Sequence, residues 1–124
     1  MHYSIIPTKN YDGPPTLQAK RHWKSWHGEG CKSDYAVVVK DNEKIIAFFC
    51  FRFKPLNKYL HSNGTWVSPK YRRRGIAKKM WNKAIRKFKP AVFYAAIVSR
   101  DGQSFSRHMK TTNQQPLFDF WYNK

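Results

Sequence analysis

The longest apolar run in the chain, within Lys44 to Phe53, is broken only by Arg52. It is dense in aromatic and β-branched residues, so it predicts a central strand buried on both faces. Tyr35 to Lys40 has the same character and is separated from it by Asp41-Asn42-Glu43, a spacing that predicts a hairpin. Tyr3 to Pro7 is a shorter β-favouring stretch that gives way to the loop sequence Asn10-Tyr11-Asp12-Gly13-Pro14-Pro15. Between Thr16 and His27 the period changes: Leu17, Ala19, Trp23 and Trp26 recur at roughly helical spacing, predicting a first helix.

Pro55 to Gly64 reads as a connection, followed by a short strand over Thr65 to Ser68 that stops at Pro69. From Gly75 onward apolar residues fall at Ile76, Met80, Trp81, Ala84, Ile85 and Phe88, while Lys78, Lys79, Lys83, Arg86 and Lys87 occupy the opposite side. This predicts an amphipathic helix running to Pro90, apolar toward the core and basic toward solvent. Ala91 to Ser99 predicts a further buried strand, Ser99 or Asp101 a cap for a helix over Gln103 to Lys110, and Leu117 to Tyr122 a final strand. With 124 residues and 41% hydrophobic content, one core and one domain spanning 1–124 are expected.

Charge changes the picture. Twenty-four Lys and Arg face seven Asp and Glu, a formal net charge of +17. No acidic residue lies between Lys44 and Arg100, a window holding fifteen Lys and Arg. An anionic ligand or partner is the natural reading, with a merely solvated basic surface as the plain alternative. Two cysteines, Cys31 and Cys50, are too few for a disulfide scaffold, and Cys50 sits inside the apolar run as a small core residue. With no signal-like N-terminal segment and no apolar run of about 20 residues, a cytoplasmic protein without a membrane span is expected.

The segment Val67-Ser68-Pro69-Lys70-Tyr71-Arg72-Arg73-Arg74-Gly75-Ile76-Ala77-Lys78 joins a strand end, an Arg-rich turn and a helix start. First-turn amides lack intrahelical partners and the helix dipole adds positive charge there, so this geometry makes an anion site. Gly75 lets a phosphate approach the backbone, Ala77 keeps the first turn slim, and Arg72, Arg73 and Arg74 add charge. No Cys/His cluster with metal-ligand spacing, no nucleophile with a recognisable partner and no Gly-x-x-x-x-Gly-Lys loop occurs.

Arg72, Gly75 and Ala77 match the pattern Gln/Arg-x-x-Gly-x-Gly/Ala, and the segment resembles motif A of the GNAT acyltransferase superfamily. The element order resembles that fold as well, over most of the chain. The resemblance implies an α+β mixed sheet, mostly antiparallel, with helices on both faces, splayed between the strand before motif A and the strand after its helix. It implies an acyl-CoA donor, with acetyl-CoA expected. The amides from Arg72 to Ala77 and the neighbouring Lys78 would hold the pyrophosphate, and the Val67 backbone would pair with the pantetheine arm. The reaction implied is direct attack of an acceptor amine on the thioester.

The family's frequent carboxylate base near motif A is missing, which leaves a water chain, His61, Asp34 or Glu29 as candidates. For the acid that protonates the leaving thiolate, many members use a Tyr on the last helix. Alignment places His108 near that position, and a small shift offers Ser104. Fuller members carry one more strand, so the acceptor cleft is expected to be open or completed by a second subunit, with Phe118, Phe120, Trp121 and Tyr122 either in a homodimer interface or in the core. A macromolecular acceptor suits the charge. The alternatives are a GNAT-like enzyme modifying nucleobases or aminoacyl-tRNA, similar in outline to phage GNAT-like proteins that alter DNA bases, and a non-catalytic nucleic-acid-binding module. In the first of these, Trp23, Trp26, Trp66 and Trp121 would offer stacking surfaces.

Overall fold

The computed structural model describes residues 1–9 and 33–122. Its sheet has six strands in sequential order: β1 (His2–Pro7), β2 (Tyr35–Asp41), β3 (Lys44–Lys54), β4 (Tyr59–Val67), β5 (Val92–Ile97) and β6 (Leu117–Tyr122). β1 to β4 are antiparallel neighbours, whereas β4–β5 and β5–β6 are parallel and are bridged by helices α1 (Ile76–Phe88) and α2 (Arg100–Thr112). The helix expected over Thr16 to His27, with Trp23, Trp26, Glu29 and Cys31, lies outside the described residues.

The hairpin forms where the spacing predicts it. Asn42 and Glu43 both adopt positive φ, the conformation whose twist matches two right-twisted strands. β3 is buried from Ile45 through Phe51, and Cys50 with it, as a strand covered on both faces should be. One side of the sheet carries Phe49, Phe51, Leu60, Phe93 and Phe118, packed against Ile76, Met80, Trp81 and Ala84 of α1 and Met109 of α2. Each such side chain, once buried, contributes roughly 1.5–3 kcal/mol. The two described helices therefore share one face. The other face holds a second buried cluster of Ala36, Val38, Ile45, Phe48, Cys50 and Trp66.

Two sequence expectations need correction. Pro55 to Gly64 is not a connection throughout, because β4 already begins at Tyr59. The register passes from Cys50–Gly64 to Phe51–Ser62, so Asn63 is an extra residue bulging from a continuous strand. Nor is β5 buried throughout: Phe93, Ala95 and Ile97 face the core while Ala96 is exposed. The α2 expectation holds and lengthens, with Ser99 Oγ accepting from the Gly102 amide at 3.0 Å as the cap. Among the described residues no helix is long and apolar enough to cross a membrane.

Candidate active site

β4 and β5 touch only where Tyr59, Leu60 and His61 pair with Val92, Phe93 and Tyr94. Beyond that point β5 continues against β6 and β4 continues against β3, so the facing edges of the two strands part. The bulge at Asn63 sits at the start of the divergence and bends β4 away. Main-chain groups along such a parted edge need an outside partner, and an extended chain with amides of its own supplies one. Val67 stands at the wide end. The Ser68 amide donates to Ile46 in β3 at 2.7 Å, so by alternation the Val67 peptide groups turn toward the gap.

At the same wide end, Pro69–Tyr71 forms one tight turn and leads into α1. Gly75 precedes the helix at φ 76°, no side chain caps it, and the first helical bond runs from Lys79 N–H to Gly75 C=O at 3.1 Å. The amides of Ile76, Ala77 and Lys78 are thus without a partner among the described residues. A missing cap normally costs about 1 kcal/mol. Arg73 adds backbone strain, since a non-glycine residue at φ 64° costs on the order of 1 kcal/mol. A side-chain carbon placed on Gly75 would meet nothing within 4 Å, so the space beside the Gly75 Cα is open. Uncapped donors, dipole, strain and clearance coincide at one spot, which is how an anion cradle is built.

The three arginines divide their labour. Arg72 Nε donates to the Val67 carbonyl at 2.8 Å, tying the cradle to the strand end, and Arg74 lies over the Tyr71 ring at 5.3 Å. Tyr71 Oη in turn donates to Asp41 Oδ2 at 2.7 Å, fastening the turn to the β2–β3 hairpin. That bond, with burial and the negative charge of Asp41 behind it, raises the Tyr71 phenol above its ordinary 10.0. Arg73 makes no such contact among the described residues and is exposed.

His61 lies where β4 and β5 begin to part, its ring stacked on Tyr94 at 4.9 Å and 12°. Its Nδ1 is 3.2 Å from Asn63 Oδ1, which accepts only, so Nδ1–H is the donor of this contact and in the neutral ring Nε2 is the nitrogen left as acceptor. Asn63 Nδ2 donates to Ser33 Oγ at 2.6 Å, which ties the amide to the chain entering β2. Thr8 Oγ1 holds the Ser33 carbonyl. Of the distant carboxylates considered, Asp34 is used structurally, accepting from the Phe53 amide at 3.0 Å.

His108 is brought to the cradle, not to the gap's narrow end: Nε2 lies 3.1 Å from Lys78 Nζ in the first turn of α1. The ammonium donates there, so this nitrogen is an acceptor. Ser104 is on the exposed side of α2. The residue that sequence reasoning missed is Asp119. It pairs across the parallel strands with Tyr94, itself paired with His61, so His61, Tyr94 and Asp119 form one row over three strands. Tyr59 next to the row has its phenol raised above 10.0 by burial and then by the charges of Asp119 and Tyr94. The alternation Leu117-Phe118-Asp119-Phe120 is the signal that could have placed Asp119 on the face opposite Phe118, but not which strand it would adjoin. Among the described residues no three His, Cys, Asp or Glu side chains cluster to hold a metal.

Known proteins share this architecture. Among curated protein sequences nothing matches. A ribosomal-protein-alanine N-acetyltransferase from Brucella melitensis biovar Abortus 2308 superposes with a TM-score of 0.61 at 13% identity, over 88% of this chain and 91% of that one. The catalytic domain of the Tetrahymena GCN5 histone acetyltransferase, solved with coenzyme A, gives 0.57 at 12% identity, over 93% and 80%. A GNAT family acetyltransferase from Staphylococcus aureus gives 0.51 at 17%, over 72% and 92%. The family model of the Acetyltransferase (GNAT) family matches residues 3–108, a span that holds the parted strands, the bulge and the uncapped helix, and the chain belongs to that family.

Proposed function

We propose that this protein is an acyl-CoA-dependent N-acyltransferase, with acetyl-CoA as donor and an amine on a macromolecule as acceptor. The observation that carries the reading is the uncapped start of α1, open above Gly75, at the wide end of the gap between β4 and β5. The residues suit the donor at both of its ends. The amides from Arg73 to Lys78 answer a pyrophosphate, with Arg73 an exposed cation beside them, and the Val67 peptide answers a pantetheine amide. When bound, the donor supplies a thioester whose carbonyl accepts an amine and whose sulfur leaves as thiolate.

The chain's own residues do the rest. Arg72 and Tyr71 hold the cradle rigid against β4 and the hairpin. The gap lines the acceptor up with the thioester, and alignment of this kind supplies a large share of the rate. His61, with Nδ1 engaged by Asn63, offers Nε2 to take the amine proton as the new C–N bond forms. Asp119, in the same row, is placed to orient the amine by accepting from its N–H. His108 and Ser104 were the sequence candidates for returning a proton to sulfur. The contact with Lys78 favours His108 as an organiser of the cradle instead.

The test is titration calorimetry with acetyl-CoA on the wild type and on Gly75→Glu. The glutamate strains an αL position and places a negative charge over the amides. The reading expects wild-type binding and at least ~100-fold weaker binding by the variant, which is the scale of losing several charge-assisted hydrogen bonds. No wild-type binding, or equal binding by a folded Gly75→Glu, overturns it.

A further inference from the structure

Among the described residues nothing covers the β5–β6 end of the sheet face turned away from α1 and α2. Register places Tyr59, Val92 and Leu117 in one row across it, His61, Tyr94 and Asp119 in the next, and Ala96 beside Trp121 beyond. Leu117 is 68% exposed and Trp121 53% exposed. The other aromatic residues of β6 are accounted for by the core: Phe118 is buried, and Phe120 and Tyr122 pack against it. Trp66, expected as a stacking surface, is buried and unavailable for one. What remains is a face with aromatic side chains on three adjacent strands and one carboxylate among them.

Charge decides which occupant fits. A net +17 repels cationic peptides and polyamines at long range and draws polyanions. Lys54, the register partner of Tyr59, and Lys58 are exposed at one end of the face. An anionic membrane would press the Asp119 carboxylate against phosphate headgroups, and an acidic peptide would bring carboxylate to carboxylate. A nucleobase does neither. Its ring covers exposed aromatic surface, its exocyclic amino group donates to Asp119, and its phosphate lies outward toward the lysines. Six residues of β5 span about 20 Å, room for two or three splayed bases. A duplex hides its ring faces, so the strand must be single.

We infer that this face binds single-stranded nucleic acid, with bases stacked on Trp121 and Tyr94 and a base amino group on Asp119. The inference deepens the proposed N-acyltransferase, because the row ends on His61 at the parting of β4 and β5 and so leads a bound strand to the reacting centre. The binding is measurable without any acyl donor.

The experiment is fluorescence anisotropy with labelled single-stranded DNA and RNA about 12 nucleotides long, and the matching duplex, at several salt concentrations. Single strands are expected to bind at least ~10-fold tighter than duplex. Trp121→Ala is expected to weaken them ~10-fold, on the scale of a lost stacking contact, and Asp119→Ala also ~10-fold, on the scale of a lost hydrogen bond to a charged group, both at unchanged salt slope. Lys54→Glu with Lys58→Glu should weaken binding and flatten the slope. Gly75→Glu, which removes the acyl-CoA cradle, is expected to bind the oligonucleotide like wild type, so failure of either reading leaves the other standing. Three results overturn the inference: no binding at low salt; duplex and single strand bound alike without dependence on Trp121; or a dimer by sedimentation that Trp121→Ala dissolves while oligonucleotide binding persists.

Discussion

The cradle from Val67 to Lys78 and the row His61, Tyr94, Asp119 stand at opposite ends of the same gap, and they are built in opposite ways. The cradle is one continuous stretch of chain in which strand end, turn and helix start follow each other, so its free amides and dipole are local, and only its bracing by Asp41 and His108 comes from elsewhere. The row is drawn from β4, β5 and β6, and exists only because two parallel pairings set those strands side by side. Local devices bind, through free amides and a dipole that any helix start possesses. Chemistry that needs a base, a ring and a carboxylate in one place depends on tertiary assembly.

Substitutions separate the two regions. The largest effect is expected in the row. His61→Ala should lower kcat by roughly 100-fold or more, the usual reach of a positioned base, with the acetyl-CoA affinity unchanged. Asn63→Ala, which frees the imidazole to change tautomer, should lower kcat about 10-fold and be insensitive in KM for the donor. A fall in donor affinity in either variant would merge two sites held apart here.

In the cradle, Arg73→Gly should move two quantities in opposite directions. Relief of the positive φ stabilises the fold by about 1 kcal/mol in thermal unfolding, while loss of the exposed guanidinium weakens acetyl-CoA several-fold in titration. If stability and affinity fall together, Arg73 is a structural residue. The smallest effect concerns pH. Tyr71 has a raised phenol, so its contribution to stability is complete below pH 10.0 and disappears as pH climbs through the raised value. Tyr71→Phe cannot ionise, so its melting temperature should start lower at neutral pH and fall less steeply above pH 10.0. A parallel decline in both proteins would remove the Tyr71–Asp41 anchor from the account.

The same contrast explains what the sequence revealed. Strand β3, the hairpin, α1 and the anion cradle announce themselves through period, turn residues and a single glycine, all short-range signals. β4 was half hidden, because Asn63-Gly64 carries the chemistry of a turn and only the pairing with β3 makes it a bulge. His61 was legible as a candidate, but the contact chain behind the role proposed for it, Asn63 held by Ser33, joins positions thirty residues apart. Asp119 was invisible as a site residue, since nothing in Leu117 to Tyr122 tells which strand it will adjoin. His108 was visible and its neighbour was not: Lys78 reaches it from another helix.

The most direct test of the division is an amide-resolved NMR titration with coenzyme A. The account predicts the largest shifts at the amides of Arg73 to Lys78 and at Val67, with Tyr59, Asp119 and Trp121 nearly still. Shifts that spare the first turn of α1 and concentrate on β5 and β6 would contradict it.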